Sequence, residues 1–177
     1  MSSFSAKLPR RGFLLFGALA LGGCGFRPLY GPRGAQDWDP DLAAIKVDPI
    51  PDRPGQVLAL ALRENLNPAG KAVPVKWHLQ TALTIARSDL GIQRNATATS
   101  SEITVSASFA LFDVASGKPV YSNGSRAISD FNQLTDAYAT QVAADDARDR
   151  ALQQVAEEMT MRMAIFMRQL RASAAAR

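Results

Sequence analysis

The sequence predicts an α+β fold: a two-layer sandwich in which a four-stranded mixed sheet carries two helices on one face, in the order β-α-β-β-β-α. Three observations predict it. Residues 75–87 and 101–114 alternate apolar and polar side chains over a length that only a half-buried strand explains. Residues 56–66 and 137–171 instead repeat their apolar side chains at helical offsets. At about 1.5 Å per residue the second helix reaches roughly 50 Å, and at about 3.3 Å per residue the long strands reach roughly 45 Å. The lengths match, so the helix can lie along the sheet and bury its stripe there.

The chain begins with a stretch that does not belong to this fold. Lys7, Arg10 and Arg11 make a positive start, residues 13–21 are an apolar run, and Gly22-Gly23 precede Cys24. This is the three-part build of a cleaved export signal over residues 1–23. Its apolar run is about half the roughly 20 residues that span a bilayer, so no permanent membrane helix is predicted. Adjacent Arg10 and Arg11 before Gly12-Phe13-Leu14 fit a twin-arginine export motif as well as an ordinary basic start. Both routes end outside the cytoplasm.

Cys24 is the sole cysteine, so the chain holds no internal disulfide. A lone cysteine is usually a buried thiol, but this one closes a signal-like run. Leu21-Gly22-Gly23-Cys24 resembles the lipobox of bacterial lipoproteins, which implies acylation of the thiol, with chains such as palmitate, and cleavage before Cys24. Two or three acyl chains anchor a protein where one only visits the bilayer. Gly25, not an acidic residue, follows the cysteine, and in the same family of signals this implies sorting to the outer membrane.

Removal of residues 1–23 leaves about 150 residues, the size of one domain with a real core. It also removes Lys7, Arg10 and Arg11 and no acidic residue, taking the net charge from +4 to about +1. A nucleic-acid-binding domain would keep a clustered basic face, so no nucleic-acid partner is expected. The sequence has no Gly-rich phosphate loop, paired cysteines, His-rich cluster or nucleophile elbow. It predicts no metal, no cofactor and no catalytic residue, hence a protein that is not an enzyme.

Residues 24–41 hold Pro28, Gly31, Pro32, Gly34 and Pro40 and read as a lipidated tether. Phe26, Leu29, Tyr30 and Trp38 are apolar for a linker and predict that part of it packs on the domain or a partner. A single domain over residues 42–172 follows, then a disordered tail over 173–177. Residues 43–48 alternate and are stopped by Pro49 and Pro51, which predicts a short first strand. Asp52-Arg53-Pro54-Gly55 turns the chain into a helix marked by Val57, Leu58, Leu62 and Leu66, and Asn67-Pro68 ends it.

In the first long strand Val75, Trp77, Leu79, Thr81, Leu83 and Ile85 share a face, opposite Lys76, His78, Gln80 and Thr84. A polar stretch over 87–95 separates it from the second, where Ile103, Val105, Ala107, Phe109 and Leu111 share a face. Residues 113–119 carry a turn signal, and 120–131 form a more polar strand in which Gly124 marks a bulge or an edge. The last helix places Val142, Leu152, Val155, Ala156, Met159, Met163, Phe166 and Leu170 in its stripe, with Thr135 or Asp136 as its cap.

These segments together, CGFRPLYG, DRPGQVLALALRENL, the alternating strands and YATQVAADDARDRALQQVAEEMTMRMAIF, resemble the lipopolysaccharide-assembly lipoprotein family, LptE. The resemblance covers nearly all of the mature chain. It implies an outer-membrane lipoprotein at the periplasmic face, seated in the large barrel protein LptD. There such proteins plug the barrel, help it assemble and assist delivery of lipopolysaccharide to the outer leaflet. An accessory lipoprotein of an envelope lipid transporter is the alternative, recognised by an inner-membrane partner.

Direct lipopolysaccharide binding would need cations for its phosphates and carboxylates. Arg87, Arg94, Lys118 and Arg126 lie in or beside the strand loops and are the candidates, against the plainer reading of solvated surface charges. Asp145, Asp146 and Asp149 resemble a cation site less than a salt-bridged face, since Arg148 and Arg150 stand three and four residues on. His78 has no second histidine or free thiol to work with. Met159, Met161, Met163 and Met167 read as core filler and helix surface.

Overall fold

The computed structural model of the chain describes residues 39–92 and 98–176, apart from the side chains of 91, 92, 98 and 99. The predicted signal, Cys24, the tether up to 38 and Arg94 lie outside the described residues. The elements are α1 (Pro40–Ala43), β1 (Ile45–Val47), α2 (Asp52–Leu66), β2 (Trp77–Ile92), β3 (Ala98–Asp113), β4 (Pro119–Asn132) and α3 (Ala137–Ala175). The sheet order is β1-β2-β3-β4. β1 runs parallel to β2, and the other neighbours are antiparallel, so the sheet is mixed as the sequence predicts.

α1 is an addition to the predicted order. The Asp39 carboxylate accepts from the Asp41 N–H at 3.0 Å and Pro40 takes the first helical position, a pairing that starts helices well. The residues read from sequence as the end of the tether are thus drawn into the domain. Arg171 of α3 binds Asp39 and reaches Asp41 at 2.9 Å, fixing the turn to the long helix.

β1 buries Ile45 and Val47 and exposes Lys46. A parallel neighbour requires a crossover, and α2 supplies it. On α2, Leu58, Leu62 and Leu66 are buried while Leu60 is 64% exposed, the division expected of one helical stripe. Gly55 is held where any side chain would collide: an added Cβ would stand 2.7 Å from Ile50 Cγ2 and 3.0 Å from the Ile50 carbonyl carbon. Gly55→Ala is therefore expected to cost about 1–3 kcal/mol by overpacking, read as a lowered midpoint in urea unfolding.

β2 and β3 form a longer hairpin than the alternation indicates. Pairing continues past Arg87, Ser88 and Asp89, which put polar groups on both faces, through Asp89↔Ser101 and Leu90↔Ser100 to Ile92↔Ala98. Gly124 sits in regular register opposite Ser108, and the ladder's irregularity falls instead between Leu111 and Phe112. Gly124 does lie on an edge, since β4 is the last strand of the sheet. The predicted turn is built by Asp113, whose carboxylate accepts from the Ser116 hydroxyl at 2.7 Å and its N–H at 3.1 Å.

α3 is capped by Asp136, which accepts from the N–H groups of Tyr138 and Ala139. Its buried stripe is Ala144, Ala147, Ala151, Leu152, Val155, Ala156, Met159, Met163 and Met167. Val142 and Leu170, placed on that stripe by sequence, are 49% and 41% exposed. They lie beyond its two ends. The helix continues to Ala175, through most of the segment expected as a disordered tail. These side chains join Leu58 and Leu62 of α2 and the inward row of Leu79, Val105, Phe109 and Leu111 in one core. Tyr121 stacks on Phe166 with ring centroids 4.6 Å apart. The helices cover one face of the sheet and leave the other open.

Candidate docking surface

The open face is made of the strand residues that alternate with the core row. Its cross-strand rows are Gln80–Ala110–Ser122, Ala82–Ser108–Gly124, Thr84–Ser106–Arg126 and Ala86–Thr104–Ile128. Alanine, serine, threonine and glycine dominate them. The row at Ala82 has nothing larger than a hydroxymethyl group, and a trough of about 680 Å³ runs over it. Such a surface is shallow and rich in short hydroxyls; Arg126 is the one charge in these four rows, and the next row, Ser88–Glu102–Asp130, carries two carboxylates. It suits close approach to another protein wall better than enclosure of a small molecule, whose sites are concave and apolar.

The β4 edge of this sheet is closed by α3. Gly124 O accepts from the Arg162 guanidinium, Glu158 takes the Arg126 backbone N–H, and Asp130 O accepts from Arg150 at 3.4 Å. Glu158 also accepts from the Ser125 hydroxyl. Unpaired strand edges invite association, and charged side chains laid over them prevent it. The Ser125 hydrogen bond, then Arg162, holds the Glu158 carboxyl below its ordinary value. A carboxyl whose folded pKa is depressed adds stability above its unfolded pKa near 4.3, and that stability is lost as pH falls through the folded value. Glu158→Gln is expected to flatten the fall of melting temperature between about pH 5 and pH 3, measured by thermal unfolding across that range.

The candidate cations do not converge. Arg87 lies on the helix side near the far end of the β2–β3 hairpin, 3.5 Å from Asp89 and stacked 4.9 Å over the Phe131 ring. Arg126 lies on the open side, midway along β4. Lys118 is in the β3–β4 turn at the opposite end; nine residue steps along β3, from Ile103 to Phe112, separate its end of the strand from the row of Arg87, roughly 30 Å at 3.3 Å per residue. Arg94 lies outside the described residues. Arg126 and Lys118 have no ion-pair partner among the described residues, whereas Arg87 is engaged.

Sequence reasoning missed the network around Arg87. The Ser101 hydroxyl donates to Asp89 at 2.6 Å, and Gln133 reaches both, at 2.8 Å to Ser101 and 3.1 Å to Asp89. Ser101 is fully buried. Its hydrogen bond, more than Arg87, pulls the Asp89 carboxyl below its usual value. The inward phase of Ile103 and Val105 already placed Ser101 on this side, which was the available signal.

His78 pairs with Asp48 at 2.9 Å. Asp145 meets Arg148 at 2.9 Å, Asp146 binds Arg150, and Arg148 also reaches Asp149 at 3.5 Å, so the acidic run is salt-bridged as expected. Among the described residues no group of three or more His, Cys, Asp or Glu could hold a metal ion. No described helix is long and apolar enough to cross a membrane.

The family model described as lipopolysaccharide-assembly, LptE, matches residues 42–165. No curated relative matches the chain significantly. Among solved structures, a candidate lipoprotein from Caulobacter crescentus shares 21% identity at a TM-score of 0.58, covering 71% of this chain and 92% of its own. Rare lipoprotein B from Shewanella oneidensis shares 15% at 0.56, covering 72% and 96%. A minor lipoprotein from Acinetobacter baumannii shares 13% at 0.54, covering 70% and 90%. These three are likenesses of fold.

Proposed function

The chain belongs to the lipopolysaccharide-assembly family, LptE, and on that premise we propose that it is a lipoprotein of the outer membrane that plugs and helps assemble the barrel LptD. Acyl chains on Cys24 hold it at the periplasmic face. Confinement to one membrane raises its effective concentration at the barrel far above that of a freely diffusing protein. From its seat in the barrel it assists passage of lipopolysaccharide to the outer leaflet. It acts by docking, with no covalent chemistry of its own.

The observation that carries this reading is the open sheet face. A slab one helix layer and one sheet layer thick, whose open face is dominated by short side chains, can lie close against the wall of a wide lumen, with Arg126 the charge of its central rows left to be met there. Arg126, central on that face, is the described cation best placed for an anionic sugar or phosphate of passing lipopolysaccharide. Lys118 serves the turn end, Arg87 contributes through the network that orients it, and Arg94, outside the described residues, is the fourth candidate.

Depletion of the protein in its own cells tests the proposal. The expected result is a fall in folded LptD and in surface lipopolysaccharide. Unchanged amounts of both would reject it.

A further inference from the structure

The second long edge of the sheet is handled differently from the first. β1 covers only the start of β2: the Trp77 N–H donates to Ala44 O at 3.3 Å, and Leu79 O accepts from Asp48 at 3.0 Å. Beyond Leu79 the same alternation directs the N–H and C=O groups of Thr81, Leu83 and Ile85 outward. No backbone hydrogen bond meets them there among the described residues. The open edge runs to Ile92, roughly 40 Å at 3.3 Å per residue.

Across from this edge stands the segment leading into α2. Ile50, Pro51, Asp52, Pro54 and the half-buried Leu83 and Ile85 line a groove of about 420 Å³. Its wall is rigid. Gly55 is packed against Ile50, and Asp52 holds a φ of 65°, a left-handed conformation that non-glycine residues seldom keep. The Thr81 hydroxyl is buried beside the groove with no hydrogen-bond partner. The exposed Asp52 has no ion pair among the described residues.

An open strand edge facing an apolar wall is the arrangement that takes up an extended peptide as one more strand. We propose that this groove receives an extended segment of the barrel partner, paired to β2, with apolar side chains directed at Leu83 and Ile85 and a basic residue set against Asp52. The inference rests on the barrel reading above. Charge complementarity selects this occupant over a second copy of the chain: the only cation that a second β2 would bring near is Arg87, already held by Asp89 and Phe131.

The test uses the full-length acylated chain in the envelope with its natural partners. A photoreactive residue at Ile85 or Pro54 is expected to crosslink to the barrel, and one at Leu60, on the exposed side of α2, is not. Leu83→Pro removes an outward N–H and leaves the β2–β3 ladder intact. It is expected to keep the folded circular-dichroism spectrum and to lower barrel recovery about tenfold, where Leu83→Ala lowers it less. Should Leu83→Pro fail to fold, the Ile85 and Pro54 crosslinks decide. If the unaltered chain recovers no barrel, the barrel reading falls and this inference with it. If it recovers the barrel, but crosslinks from the groove go to a second copy, to lipopolysaccharide or to nothing, the groove proposal alone is overturned.

Discussion

Cys24→Ala, made with the cleavable signal of a soluble periplasmic protein in place of residues 1–23, is expected to move the protein from the membrane fraction to the soluble periplasm while leaving its folding midpoint unchanged. Each buried methylene contributes about 0.8 kcal/mol, so losing two or three acyl chains removes far more binding than the domain's surface can supply. No described helix can substitute as an anchor by crossing the bilayer. Among the described residues the core begins at Leu42, so the substitution takes no side chain from it. Fractionation with a high-salt wash, followed by immunoblotting, reads the result. A variant that stayed with washed membranes would mean that something other than acyl chains on Cys24 holds the protein there. The secondary consequence is a lower yield of assembled barrel, because an unanchored chain must find it by diffusion through the periplasm.

Leu62→Ala is expected to cost about 2–5 kcal/mol, and Leu60→Ala less than about 0.5 kcal/mol, although the two stand two residues apart on the same helix. Leu62 is fully buried in the core and Leu60 is 64% exposed. Removing the first leaves a cavity between layers that are already close-packed; removing the second leaves water where water already was. For a domain with a typical stability of about 5–15 kcal/mol, the first loss brings the unfolded state within reach of envelope proteases. Urea titration of the two variants, compared at equal slope, separates them. Equal midpoints would show that α2 does not face the sheet as described.

The inward rows of β2 and β3 were legible because an alternation of Leu79, Leu83 and Ile85 with polar neighbours has one explanation at that length. The stripe of α3 was legible for the same reason at helical period. Its ends were not, since Val142 and Leu170 keep the offset after the sheet has stopped needing it. The hairpin beyond Ala86 carries no such signal, because Arg87, Ser88 and Asp89 put polar groups on both faces, and backbone pairing alone leaves no hydrophobic period. α1 was hidden among prolines, although Asp39-Pro40 is itself a helix-starting pair.

The surface was less legible than the core. Parity along the strands already placed Arg87 with the core row and Arg126 with the open one, so their separation could be read from numbering. Proximity to loops suggested otherwise. The closure of the β4 edge by Arg150, Glu158 and Arg162 had no such signal: charges spaced along a helix look like ordinary intrahelical pairs, and which backbone they cover depends on where the helix lies across the sheet. The open β2 edge was equally silent, because it exists only where the short β1 ends.

The central claim is that this domain works by docking inside a barrel. The most direct measurement is purification of a tagged, acylated chain from its native envelope in mild detergent, with the stoichiometry of whatever accompanies it. LptD is expected in equal amount. The chain alone, or in company with an inner-membrane transporter, would contradict it.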